Sequence, residues 1–99
     1  MSQHHFTNRA RGFAPVDVVV GFKPRNRTFF IEIFGAGQML PTEQHNGLAM
    51  VSDVERALSR KGIPLQDKIA NALEDELAEF DFIGAEKIEN RVRFYPAHH

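Results

Sequence analysis

The sequence predicts an α+β domain: an antiparallel sheet of three or four strands with two helices packed on one face. Three observations predict it. Val16 to Phe34, VDVVVGFKPRNRTFFIEIF, reads as two β-prone runs joined by a short polar turn. Ser52 to Phe80 carries apolar residues at helical spacing, in two blocks divided by Gly62 and Pro64. Lys87 to Tyr95 returns to a two-residue alternation. The 99 residues suit one domain with a real core, drawn at 16–96 and preceded by an arm over 1–15.

The arm is polar, carries Arg9 and Arg11, and ends in Ala14-Pro15. It is expected to be mobile or laid over the sheet, with Phe6 and Phe13 as anchors. His4 and His5 could meet His98 and His99 around a metal, but such terminal pairs are usually solvated tails. No metal and no cofactor is expected.

The hairpin pairs Val16–Phe22 with Thr28–Phe34. In its turn, Pro24 presets φ for the second position of a type I turn, and Asn26 is expected to take a left-handed conformation. Placing Phe22 opposite Phe29 sets Val20 against Ile31 and Val18 against Ile33, all on one face. A slip of one residue would bring Asp17 and Glu32 into that apolar set. The second face keeps Phe30 and Phe34, so part of it is expected to be covered by the arm, a loop or a second subunit.

Gly35-Ala36-Gly37 follows a strand, as in dinucleotide-binding turns. That chemistry needs a third glycine and a helix N-terminus facing the pyrophosphate. Leu40 and Pro41 stand there instead, so the cofactor reading is rejected. In the long 35–51 connection, Asn46-Gly47 signals a turn, and Leu48–Val51 is expected to be a short third strand. His45 is the one histidine away from the ends and the best candidate for general acid/base work.

Ser52-Asp53-Val54-Glu55 reads as a capping box opening the first helix. Val54, Ala57 and Leu58 mark its buried stripe, and Gly62 with Ile63 should end it in a left-handed turn. Pro64 suits the start of a second helix, expected from Leu65 to Phe80 or Ile83 with Gly84 as stop. Leu65, Ile69, Ala72, Leu73, Leu77 and Phe80 form its apolar face. Its exposed side is acidic, with Asp67, Glu74, Asp75 and Glu79. Glu76 falls inside the apolar arc. It is expected to sit on the shoulder of the stripe with its carboxylate reaching water; the alternative is a partly buried carboxylate, which would need an arginine partner, Arg91 or Arg93. The final strand, Lys87–Tyr95, would set Ile88, Asn90, Val92 and Phe94 on one face and Arg91, Arg93 and Tyr95 on the other.

A net charge of −1 argues against a general nucleic-acid coat or a polybasic membrane binder. The chain has no cysteine, which suits a reducing cytoplasm. No run approaches the ~20 apolar residues that span a bilayer, and the first residues lack the apolar core of a signal peptide. A DNA-reading helix pair is excluded because the second helix would set carboxylates against phosphates.

Three function classes are weighed. An accessory or regulatory protein that binds another protein leads, with Lys23, Arg25, Arg27, Asp75, Glu79, Arg91, Arg93 and Tyr95 as the contact residues. Its basic hairpin tip and acidic second helix would lie at opposite ends and steer a partner. Self-association as a homodimer fits too, through Phe30 and Phe34 or the Arg91–Tyr95 edge. Nucleic-acid binding through the basic tip is the second class. A small enzyme using the 35–51 loop is the third; no nucleophile elbow, phosphate loop or paired carboxylates support it, and no catalytic residue is assigned.

The progression from VVVGF through FFIEIF to GIPL and an acidic helix resembles small uncharacterised proteins carried on bacterial plasmids and phages. The likeness covers most of the chain, and its motifs are structural, so it carries no functional residue. It implies a host-directed accessory or inhibitory role.

Overall fold

The computed structural model describes residues 3–8 and 15–98, with side chains through Phe82. The hairpin takes the register its alternation predicts. β2 (Val16–Lys23) and β3 (Thr28–Phe34) pair antiparallel with Phe22 opposite Phe29, Val20 opposite Ile31 and Val18 opposite Ile33. Two turn bonds close the connection, from Asn26 N–H to Lys23 C=O and from Arg27 N–H to Pro24 C=O. The left-handed residue is Arg27, at φ 55°, not Asn26. Two overlapping turns push the reversal to the last loop position, where the chain must re-enter the strand.

The sheet is completed from both sides. β1 (His4–Asn8) pairs with β2, setting Phe6 opposite Val18 and His4 opposite Val20. The arm therefore gives an edge strand in the plane of the sheet. β4 (Glu43–Leu48) pairs with β3 on the other side. Strand order follows chain order, β1-β2-β3-β4, with every neighbour antiparallel.

Three expectations are corrected around β4. The third strand is 43–48, not Leu48–Val51. Asn46-Gly47 lies inside it at a register shift, with Gly47 at φ 72°, so the dipeptide makes a bulge instead of a hairpin turn. α1 (Val51–Ser59) then begins two residues earlier than Ser52 as a cap would require. Met50 is its cap position, and the Asp53 carboxylate accepts from the Met50 N–H at 3.2 Å. The reach-back half of a capping box is thus made by Asp53 and not by Glu55.

α1 ends as its sequence predicts. Gly62 takes φ 73°, its N–H bonds to Ser59 C=O, and Ile63 N–H bonds to Leu58 C=O at 3.0 Å. Ile63 is buried beneath that turn. Residues 63–66 carry no regular secondary structure, so Pro64 and Leu65 precede the second helix instead of opening it. The N–H groups of Ile69 and Ala70 both bond to Gln66 C=O, which starts α2 (Asp67–His98).

α2 runs through Gly84 and over Lys87–Tyr95, so the expected C-terminal strand is a helical continuation. A single glycine in a helix interior costs only ~1 kcal/mol, too little to stop it against continuous backbone bonding. The strands that complete the sheet are β1 and β4. Side chains from residue 83 onward, with those of Arg91, Arg93 and Tyr95, lie outside the described residues.

Both helices pack on one face, α1 over β3 and β4, and α2 over β2. The core joins Val18, Val20, Phe22, Phe29, Ile31 and Ile33 to Val54, Leu58, Leu65, Ile69 and Leu73, all buried, with Leu77 packed alongside. Burying each of these side chains contributes roughly 1.5–3 kcal/mol, the main favourable term opposing chain entropy. Phe22 bridges the layers, 5.1 Å from the Phe29 ring and 5.7 Å, edge on, from the Phe80 ring. The opposite sheet face also shelters apolar groups. Val19 and Phe30 are buried there, and the Lys23 ammonium lies 5.2 Å from the Phe30 ring centre.

Candidate functional site

The two connections of β3 place the candidate residues at opposite ends of the sheet. At the β2–β3 end, the basic tip is bound into the fold. Arg27 grips Asp81 of α2 through two bonds of 2.7 Å, Nε to one carboxylate oxygen and Nη2 to the other. That hydrogen bond and the attraction behind it hold the Asp81 carboxyl below its ordinary range and raise the Arg27 guanidinium. Lys23 donates to Asn46 Oδ1 at 3.2 Å while capping Phe30. Arg25 is exposed at the tip. The expected separation of basic tip from acidic helix is therefore corrected: the two meet, at Arg27 and Asp81. Asp75 and Glu79 are exposed on α2.

At the β3–β4 end, residues 35–42 form an uncharged connection with its own hydrogen bonds. Gln38 N–H bonds to Gly35 C=O at 3.0 Å, and Gly37 takes φ 72°. Thr42 returns the chain to the sheet, its N–H and its hydroxyl both donating to Ile33 C=O, at 2.7 and 3.1 Å. Between these two fastenings stand Met39 and Leu40, 93% and 78% exposed. Side chains this exposed contribute little apolar burial to the fold.

His45 has a partner that the sequence did not reveal. Its Nε2 donates to Glu43 Oε2 at 2.6 Å, and the Lys61 ammonium lies 2.8 Å from the other Glu43 oxygen. These contacts, Lys61 first, lower the Glu43 carboxyl below its ordinary range. The two residues lie two apart on one strand, which aims both side chains at the same face. A histidine–carboxylate pair can orient an imidazole for proton transfer. Here the carboxylate is shared with an ammonium that fastens β4 to the end of α1, a structural use.

Glu76 is bonded to the first strand, while the side chains of Arg91 and Arg93 lie outside the described residues. His4 Nε2 donates to Glu76 Oε2 at 3.0 Å, with both side chains about three-quarters buried at 25% and 27% exposure. The pair joins the edge strand β1 to α2. Among the described residues no three histidine, cysteine or acidic side chains come together as a metal site. His4 and His5, being neighbours on a strand, point to opposite faces.

No protein-family model, curated protein or solved structure matches the chain. Among the described residues, no helix is long and apolar enough to cross a membrane.

Proposed function

We propose that this protein acts by binding another protein, with Met39 and Leu40 on the β3–β4 connection as its anchors. The observation that carries the reading is their exposure on a loop that hydrogen bonds hold in place. An ordered loop loses little freedom on binding, so most of the apolar burial becomes affinity. Interfaces concentrate their energy in a few such side chains, and methionine adapts its shape to the pocket it meets. An accessory or regulatory role, as an inhibitor or escort of a larger assembly, fits an 11.3 kDa chain that offers a small apolar anchor on a hydrogen-bonded loop. The nucleic-acid reading is weakened because Lys23 and Arg27 are occupied within the fold.

Quantitative capture from cell extract tests the proposal, with Met39→Ser/Leu40→Ser compared against Arg25→Glu. Losing two anchors of ~2 kcal/mol each should lower retention of the bound protein by at least about tenfold. Arg25→Glu should leave retention nearly unchanged. Equal retention by the parent and the Met39/Leu40 variant would sink the reading.

A further inference from the structure

The two outer strands of the sheet are not equally protected. β4 carries a bulge at Asn46-Gly47, and its first residue, Glu43, is held by Lys61 from the turn that follows α1. Bulges and edge charges are the devices that discourage a sheet from growing. β1 has no bulge, and the carboxylates that reach it, Glu76 and Asp17, are bonded to its own His4 and Thr7. Its five residues, HHFTN, include no proline, lysine or formal carboxylate, and its pairing with β2 is unbroken from His4 to Asn8. Among the described residues it is hydrogen-bonded to β2 alone, which leaves its other side as a row of unpaired backbone groups.

We infer that β1 is a pairing edge for a second copy of this chain, joining two four-stranded sheets into one across a twofold axis at Phe6. Antiparallel pairing of β1 with itself has one register that uses all five residues: His4 faces Asn8 of the second copy, His5 faces Thr7, and Phe6 faces Phe6. No like charges are set opposite each other in that register. Glu76, which reaches β1 from α2, is already bonded to His4. Phe6 is half-buried against the core, so placing two Phe6 rings side by side covers apolar surface that the single copy leaves wet. The symmetry decides the occupant. Pairing β1 with itself closes after two copies and leaves only the two β4 edges outside, both blunted. Pairing β1 with β4 would be head to tail and would have to use the bulged edge of β4. A contact built on two five-residue strands falls below the ~1,200 Å² of stable complexes, so the dimer is weak and concentration-dependent.

The absence of cysteine allows a direct test on the full chain. Light scattering over a concentration series should show the mass rising toward twice the monomer value. His5→Cys and Thr7→Cys, mixed and oxidised, should give the mixed disulfide in several-fold excess over either homodisulfide. In this register residues 5 and 7 are directly opposite, with Cβ atoms ~4.5–5.5 Å apart, whereas like positions are diagonal at ~7–8 Å. Met39→Ser/Leu40→Ser should dimerise as the parent does, which separates this surface from the β3–β4 anchor. A constant monomer mass up to millimolar concentration, or a mixed product no more than about the statistical twofold over either homodisulfide, overturns the inference.

Discussion

β3 ends in two connections of opposite character. The one before it is cationic and tied down; the one after it is uncharged, apolar and turned to water. Arg27 is locked to Asp81, and Lys23 is spread between Asn46 and Phe30. Met39 and Leu40 stand out into solvent. Charge invites a functional reading, yet here it holds the tip to α2. The apolar pair does nothing for the monomer, and that lack of structural employment is what marks it. Surface ion pairs contribute little on average, so a bidentate geometry aimed at a helix is better understood as orientation than as stability.

The comparison can be broken at the strand that both connections share. Phe29→Ala removes a fully buried ring and should cost ~3–5 kcal/mol by denaturant unfolding, with loss of order at both ends of β3. A loss below ~1 kcal/mol would mean that β3 is not the common frame. Gly37→Ala acts on one side only. Nothing lies within 4 Å of the added methyl group, so the cost is that of a left-handed backbone, ~1–2 kcal/mol, read as a lower unfolding midpoint.

Asp81→Asn should weaken the other side, with an effect that depends on pH. The folded carboxyl is depressed by Arg27, so its stabilisation is fully present above the unfolded value near ~3.9 and is lost as pH falls through the folded value. The parent and variant should therefore differ at pH 7 and converge in acid, followed by thermal unfolding across that range. Divergence in acid would contradict the assigned pair. The smallest expected effect on the fold belongs to Met39→Ser/Leu40→Ser, which should change stability by less than ~0.5 kcal/mol while lowering retention of the proposed partner at least about tenfold.

The hairpin register was legible because alternation over both strands leaves only one pairing that gathers Val18, Val20 and Phe22 with Phe29, Ile31 and Ile33. The turn between the helices was legible because Gly62 and Ile63 have a local mechanism. The flanking strands were not. β1 offers a single apolar residue, Phe6, and β4 spells EQHNGL, with no β-branched residue and a turn-like dipeptide inside it. Both take strand conformation because the hairpin presents open hydrogen-bonding groups on either side, a tertiary cause that local propensity does not record. Lys87–Tyr95 misleads in the reverse direction, its alternation being overridden by helix propagation from α2.

The candidate site was half legible. His45 was visible as a lone internal histidine, but Glu43 and Lys61 join it only through the strand pairing and the end of α1. Glu76 was visible as a misfit in an apolar arc; a partner reaches it from the first strand. Met39-Leu40 had a signal that was available and unused: two large apolar residues side by side, between a turn glycine and Pro41, in a segment with no periodicity.

That strand order follows chain order has a kinetic consequence. Each strand can zip onto the one made just before it, so the sheet forms through short ring closures that cost little entropy. The far larger loops, from His4 to Glu76 and from Arg27 to Asp81, close only when α2 swings down onto the finished ribbon. Assembly thus divides into a quick local growth and a later long-range docking, with the two ion pairs as its latches.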